Sequence, residues 1–222
     1  SLFAELGNAV DYALETLAIT FRDTENADLN GGTLAGSAEA DSFEVTGAAL
    51  TANEIIVTNA ASAIDAGTGN DAVTVNDANS ALTGTNNELD TANYQFTSIE
   101  SADLTSKALT GTAGVDTFDV TGANALTSAG INFSNVEVVN ADDGVDQVNT
   151  DGADASLFAE LGSAVDYALE TLGITFRETE NADLNGGTLA GSSEADSFAV
   201  TGTTLTANAI SVTNAASAID AG

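Results

Sequence analysis

The sequence contains no cysteine, histidine, methionine, tryptophan or proline, and each absence excludes a kind of structure or chemistry. Without cysteine there are no disulfides and no thiolate metal ligands, and without histidine there are no imidazole ligands. Any metal would have to be held by oxygen atoms, which hard cations such as Ca²⁺ prefer. Stability therefore has to come from side-chain packing and backbone hydrogen bonds, because the chain has no covalent cross-link. We expect that no cofactor is required.

Positive charge is also nearly absent. Three Lys and Arg residues stand against 34 Asp and Glu residues, which gives a formal net charge of -31. Such a chain repels nucleic acids and anionic membrane surfaces, so neither is expected as a partner. No apolar run approaches the roughly 18 residues of a membrane span. The 43% of hydrophobic residues, arranged periodically, nevertheless predicts a packed core rather than disorder.

The chain repeats itself after 155 residues. Residues 1–67 recur as residues 156–222 with nine differences. The chain begins without Met and stops within a repeat, and we expect it to be a window onto a longer array. Such self-similarity is typical of repeat architectures, in which each unit buries its core against its neighbours.

A shorter repeat lies inside the long one. The phrase Asp-Ser/Thr-Phe-x-Val-Thr-Gly begins at Asp41, Asp116 and Asp196, 75 and 80 residues apart. We therefore predict one continuous solenoid, in which residues 1–25 end a repeat, 26–100 form repeat type A, 101–180 form type B and 181–222 begin the next type A. A Phe-x-x-x-Glu motif and its looser relatives recur every 34 to 43 residues. If each interval holds two coils, a coil averages roughly 19 residues.

The differences between the two long copies predict strands. Glu44 becomes Ala199, whereas its neighbours Phe43 and Val45 are kept in the second copy. Residues that differ between the copies thus alternate with residues that are kept, which is the two-residue period of a β-strand. Phe43 and Val45 should point inward and Glu44 outward, with Gly, Asn, Asp and Thr forming the corners between strands. The fold class predicted is all-β, a parallel β-solenoid (β-helix) built from tandem repeats.

One segment fits two interpretations. In residues 156–172, and in their twin at residues 1–17, the apolar residues fit helical spacing and also alternate as in a strand. Periodicity alone does not decide between them. The matching stretch of the other half-repeat, residues 86–93, is short and poor in helix formers, which favours a strand over a short covering helix.

Several turns end in a Gly-x-Asp phrase, which predicts either turn capping or calcium binding. The phrase Gly67-Thr-Gly-Asn-Asp71-Ala-Val73 resembles the calcium-binding nonapeptide G-G-x-G-x-D-x-U-x of RTX (haemolysin-type) repeats, with Ala66 in the first Gly position. The resemblance implies that Asp carboxylates and turn carbonyls bind Ca²⁺. In that family the nonapeptides follow one another directly, whereas here the Asp residues are 30, 45, 30 and 50 apart. The candidate metal ligands are Asp41, Asp71, Asp116, Asp146 and Asp196. The simpler interpretation is that they cap β-turns.

The Phe-x-x-x-Glu motif predicts a core ladder more readily than a ligand site. Phe would fill the core, and Glu or Asn would hydrogen-bond the corner of the next coil. Because two coils would separate successive motifs, stacked carboxylates would not meet. An enzyme is not expected: the paired carboxylates Asp142 and Asp143 are the residues that a polysaccharide-cleaving solenoid would use, but almost every feature occurs in more than one copy.

Taken as a whole, the chain resembles the giant, acidic, cysteine-free repetitive surface proteins of prokaryotes, which include adhesins, filament and sheath proteins and RTX-related exoproteins. The resemblance implies an extracellular or cell-surface location. It also implies a structural function, in which stacked coils self-associate into a filament, sheath or surface layer. The alternative is a calcium-stabilised adhesin stalk.

Overall fold

The computed structural model describes residues 13–16, 19–76, 79–83, 87–157 and 168–220. Every regular element among them is a β-strand, and none forms a helix long and apolar enough to cross a membrane. The chain divides into unit 1, residues 1–107 and 130–134, and unit 2, residues 108–129 and 135–222.

Short strands make up unit 1. They are β1 (Ala13–Thr16), β2 (Ile19–Arg22), β3 (Asn26–Asp28), β4 (Leu34–Ala35), β5 (Ser42–Thr46), β6 (Ala49–Ala52), β7 (Ile55–Thr58), β8 (Ala63–Asp65), β9 (Ala72–Val75), β10 (Ser80–Leu82), β11 (Leu89–Asp90), β12 (Gln95–Thr97) and the start of β13 (Ser101–Thr110).

Unit 2 is built in the same way. Its strands are β14 (Thr117–Gly122), β15 (Ala125–Ser128), most of β16 (Ile131–Asn140), β17 (Gln147–Asn149), β18 (Ala155–Leu157), β19 (Leu169–Thr171), β20 (Ile174–Arg177), β21 (Asn181–Asp183), β22 (Leu189–Ala190), β23 (Phe198–Thr201), β24 (Thr204–Ala207), β25 (Ile210–Thr213) and β26 (Ile219–Asp220).

Parallel stacking defines the fold as a β-solenoid. In unit 1, β4, β8 and β12 form one file of parallel strands, β5, β9 and β13 a second, and β3 and β7 a third. In unit 2 the longest file runs β14, β17, β21 and β25. The prediction of a parallel β-solenoid is confirmed.

The predicted coil length of roughly 19 residues is wrong. Leu34 pairs with Ile64, so one coil takes 30 residues, and Gln147 pairs with Asn181, so another takes 34. The extra residues form antiparallel meanders, such as β5-β6-β7 and β23-β24-β25, that the alternation of residues does not reveal. Each interval between Phe-x-x-x-Glu motifs therefore holds about one coil.

Two-residue turns close several of these hairpins. At Asn53 and Glu54 the φ angles are 44° and 68°, and at Asn208 and Ala209 they are 48° and 85°. Positive φ at both central residues is what a type I′ turn requires, and its twist matches that of paired strands. Asn tolerates this conformation, whereas Glu and Ala adopt it at a cost.

The core of unit 1 follows the predicted alternation. Phe43 and Val45 are fully buried and Glu44 is exposed. The ring centroid of Phe43 lies 5.5 Å from that of Phe96, which belongs to the neighbouring file. In unit 2 the rings of Phe118 and Phe176 are 6.0 Å apart, so aromatic contacts link coils in both units.

Two predicted core positions are not buried. Val200, the twin of Val45, is 73% exposed, since among the described residues β23 pairs with β24 but with no strand in the position that β9 takes beside β5. Phe21, the twin of the buried Phe176, is 44% exposed on β2, which pairs with β1 in a separate two-stranded sheet. Identical residues thus differ in burial because their neighbouring strands differ.

Only the ends of the ambiguous segment 156–172 are described. β18 and β19 form an antiparallel pair in which Leu157 lies opposite Leu169, so these ends are strands. Residues 158–167, and most of the twin segment 1–17, lie outside the described residues.

Candidate functional site

The turn that ends in Asp41 lies directly against the Gly-x-Asp turn of Asp71, and the turns that end in Asp116 and Asp146 likewise lie against each other. In unit 1 a Cβ atom on Gly36 would overlap the carbonyl oxygen of Ala66. In unit 2 a Cβ atom on Gly144, whose φ is 154°, would overlap the carbonyl oxygen of Gly114. The glycines are required here because the backbone of one turn occupies the space that a side chain would need.

Unit 1 contains a ladder of three carboxylates on successive coils, Asp41, Asp71 and Glu100. The N–H of Asp41 donates to Oδ1 of Asp71 at 2.7 Å. The N–H of Asp71 donates to Oε2 of Glu100 at 2.8 Å. The carboxylates of Asp71 and Glu100 therefore bind the backbone of the preceding coil and fix the stacking of the turns.

Unit 2 repeats this ladder with Asp116, Asp146 and Glu180. The N–H of Asp116 donates to Oδ1 of Asp146 at 2.8 Å, and the N–H of Asp146 donates to Oε2 of Glu180 at 2.8 Å. We call these two sets the Asp-Asp-Glu ladders. Their shared geometry shows that one ladder belongs to each of the two units.

The first Asp of each ladder also caps its own turn. Asp41 Oδ2 accepts from the N–H of Ser37 at 2.6 Å, and Asp116 Oδ2 accepts from the N–H of Thr112 at 2.6 Å. The Ser and Thr hydroxyls donate to the same oxygens. Asp196 is half-buried, and it too accepts from the residue four positions before it, the N–H of Ser192, at 2.6 Å. These hydrogen bonds are the ones expected if the Asp residues cap β-turns.

The middle Asp of each ladder is fully buried and only partly satisfied. Asp71 and Asp146 are 0% exposed, and the Oδ2 atom of each has no hydrogen-bond partner among the described residues. Leaving such an oxygen charged costs free energy, because neither water nor a donor compensates the lost solvation.

Burial and neighbouring charge act together on these two groups. The pKa of Asp146 is raised to about 6, mainly by burial and also by the carboxylates of Glu180, Asp116 and Asp142, against the lowering effect of the Asp116 N–H. Burial likewise raises the pKa of Asp71, with Asp41 and Glu100 contributing repulsion. The ladders therefore hold the carboxylates of adjacent coils close together.

Within the part of the chain that the structure describes, no group of three or more Asp or Glu residues is arranged to hold a metal ion. Several carboxylate oxygens of the ladders already accept hydrogen bonds from backbone N–H groups, and a cation that used these oxygens would have to displace the bonds. Of the five predicted calcium ligands, Asp41, Asp116 and Asp196 cap their own turns, and Asp71 and Asp146 accept from the N–H of the facing turn. Calcium binding by these residues stays a prediction.

The glutamates of the Phe-x-x-x-Glu motif have different environments. Glu100 and Glu180 bind the turn of an adjacent coil, as that interpretation predicts, and the motif residues Phe96 and Phe176 are fully buried. Glu137 instead lies exposed on β16. Sequence reasoning placed the Glu residues in a separate ladder, and did not connect them with the Asp turns.

The paired carboxylates Asp142 and Asp143 are both exposed, on the turn that ends in Asp146. A surface groove in unit 2 is lined by other acidic and amide side chains, among them Asp119, Asn149 and Asp183. Asn149 Nδ2 donates to Asp119 Oδ1 at 2.5 Å, so a side-chain hydrogen bond joins adjacent coils at this groove.

Comparison with known proteins identifies no relative. The chain matches no protein-family model, and neither the curated proteins nor the solved structures contain a significant match.

Proposed function

We propose that this chain is a structural repeat of an extracellular filament, sheath or surface layer. The observation that carries the proposal is the repeated stacking of coils, in which backbone ladders and the Asp-Asp-Glu ladders join successive coils within each unit. A scaffold of this kind grows in length with the number of repeats while its cross-section stays constant. The near-identity of residues 1–67 and 156–222 suits an element used many times over.

The acidic composition supports an exposed location. A net charge of -31 keeps separate rods apart through repulsion, and lateral association would then depend on salt or cations. The extracellular location rests on the resemblance to repetitive prokaryotic surface proteins.

A calcium-stabilised adhesin stalk is the second candidate. The Oδ2 atoms of Asp71 and Asp146 are the observation in its favour, because each is a buried oxygen atom with no hydrogen-bond donor among the described residues. Against it stands the lack of a three-carboxylate cluster in the described residues.

Negative-stain electron microscopy of the protein at high concentration distinguishes the two candidates. Samples are imaged with calcium present and again after chelation. The proposed structural role predicts uniform filaments that survive chelation. Separate rods that collapse without calcium would support the adhesin stalk, and compact particles under both conditions would refute both candidates.

A further inference from the structure

The surface groove of unit 2 lies at a position that a side chain fills in unit 1. The groove has a volume of about 490 Å³, and its lining includes Asp119, Thr121, Asp151, Asp183 and Asn185, on or just after strands β14, β17 and β21. Three of these residues are carboxylates, and no Lys or Arg is among the described residues that line the groove. The negative charge of the groove is therefore not balanced by its own lining.

Strand pairing shows which residues of the two units correspond. In unit 1, β5 pairs in parallel with β9, and in unit 2 β14 pairs in the same way with β17. Each residue of the first pair has its counterpart 75 positions later, so the corresponding residues are Glu44 and Asp119, Thr46 and Thr121, and Asn76 and Asp151.

In unit 1 the side chain of Asn76 closes this position. Its Nδ2 atom donates to Oε1 of Glu44 at 2.6 Å and to Oγ1 of Thr46 at 3.0 Å. One NH2 group thus joins a carboxylate and a hydroxyl of the adjacent coil.

In unit 2 this donor is missing. The residue in the place of Asn76 is Asp151, and an ionised carboxylate accepts hydrogen bonds but donates none. No hydrogen bond from another described residue reaches the side chain of Thr121 or Asp151, and Asp119 accepts from Asn149 through Oδ1 alone. Two carboxylates and a hydroxyl are thus left open to the groove.

The third carboxylate of the groove, Asp183, is already held in place. Its Oδ1 atom accepts from the N–H of Asn185 at 2.9 Å, and its two oxygens accept from Nδ2 of Asn214 at 3.0 and 2.9 Å. Asp183 therefore adds negative charge to the groove, while the open acceptors are those of Asp119, Thr121 and Asp151.

We propose that this groove binds an organic cation with N–H donors, namely the ammonium or guanidinium group of a basic side chain or of a free polyamine. Its N–H groups take the place that Nδ2 of Asn76 has in unit 1, and its positive charge compensates Asp119 and Asp151. Hydrogen bonds between such charged groups are stronger than those between neutral ones. A metal ion fits less well, because no group of three or more Asp or Glu residues in the described part of the chain is arranged to hold one.

The inference goes beyond the proposed structural role. It assigns a ligand to one face of unit 2 whether or not the chain forms filaments, because the groove lies within the coils of a single unit.

An NMR titration of the isotope-labelled full chain tests the inference. The probes are the diamine putrescine and the tripeptide Gly-Arg-Gly with blocked termini, each added at constant ionic strength. We expect saturable shifts of the amide signals at residues 119–121 and 149–151, with an affinity about tenfold or more above that at residues 44–46 and 74–76 of unit 1. The probe that binds more tightly shows whether a free polyamine or a protein side chain is the better ligand.

Tetramethylammonium separates hydrogen bonding from charge, because it is a cation without an N–H group. At the same concentration and ionic strength it should cause no saturable shift at residues 119–121 and 149–151.

Two charge-matched variants locate the site. Asp151→Asn introduces the residue that unit 1 has at this position, so it should fold, close the groove and weaken binding about tenfold or more. Asp143→Asn removes the same charge from an exposed residue outside the groove lining and should leave binding unchanged. In the opposite direction, Asn76→Asp should create a second site at residues 44–46.

Absence of saturable binding with both probes would overturn the inference. Equal binding to the Asp151→Asn and Asp143→Asn chains would do the same, as would equal shifts with tetramethylammonium, because either result indicates diffuse attraction to an acidic surface. The outcome is independent of the filament test, since electron microscopy of assembled chains does not depend on a ligand in this groove.

Discussion

Replacing Asp146 with Asn should stabilise the protein at neutral pH and leave its stability at acid pH almost unchanged. Asp146 is fully buried, and its Oδ2 atom has no partner among the described residues. Its pKa is raised from 3.8 to about 6, first by burial and then by nearby carboxylates. Asn would keep the oxygen that accepts the N–H of Asp116 and would remove the charge.

The sign follows from the direction of the shift. A carboxyl whose pKa is higher in the folded state binds its proton more tightly there, so protonation stabilises the fold. This contribution is complete below the unfolded pKa of 3.8 and is lost as the pH rises through about 6. A shift of about two pKa units corresponds to about 3 kcal/mol, the upper limit for the gain from Asp146→Asn at pH 7.5.

Thermal and urea unfolding of the wild type and of the Asp146→Asn variant, measured from pH 3.5 to 7.5, would show this difference. Because acid also relieves the general repulsion of a chain with net charge -31, the exposed Asp143→Asn variant serves as the charge-matched control. Asp146→Asn should raise stability at pH 7.5 well beyond Asp143→Asn, and the two should converge near pH 4. Equal effects of the two variants at every pH, or destabilisation by Asp146→Asn at pH 7.5, would refute the reasoning.

Three further substitutions test the packing and the turns, each by chemical unfolding. Phe118→Ala should lower the free energy of unfolding by about 3 to 5 kcal/mol, because the ring is fully buried against Phe176. Glu44→Ala, at an exposed position, should change it by less than about 0.5 kcal/mol. Similar costs for the two variants would contradict the assignment of Phe118 to the core and Glu44 to the surface. Glu54→Gly should stabilise by about 1 kcal/mol, since φ at Glu54 is 68°, and a loss of stability would count against strain in that turn. Gly144→Ala should lower the free energy of unfolding by about 2 kcal/mol or more, because the new Cβ would overlap the facing turn. Gly122→Ala should be tolerated, since a Cβ there meets nothing within 4 Å. Equal tolerance of the two substitutions would argue against stacked turns.

The sequence predicted the solenoid class because alternation survives in the differences between the copies. Ile55 and Val57 are buried and Ile56 is 49% exposed, as a comparison with the second copy indicates. The coil length was not predictable in the same way. Strand β6 has the same alternation as its neighbours, and the turn at Asn53 and Glu54 lacks the Asn-Gly signal of a tight hairpin.

Only part of the Asp-Asp-Glu ladders could be recognised from the sequence. The 30-residue spacings from Asp41 to Asp71 and from Asp116 to Asp146 are the coil length, but the spacing carries this meaning only once the hairpins are known.

The most direct test of the proposed structural role is the length of chains that carry two, four and six copies of the 155-residue repeat. Each copy should add about five coils at roughly 4.8 Å, or about 24 Å. Small-angle X-ray scattering should then show a constant cross-section and a length that grows in equal increments. A radius of gyration that grows as that of a compact globule or of an unfolded chain would contradict the account.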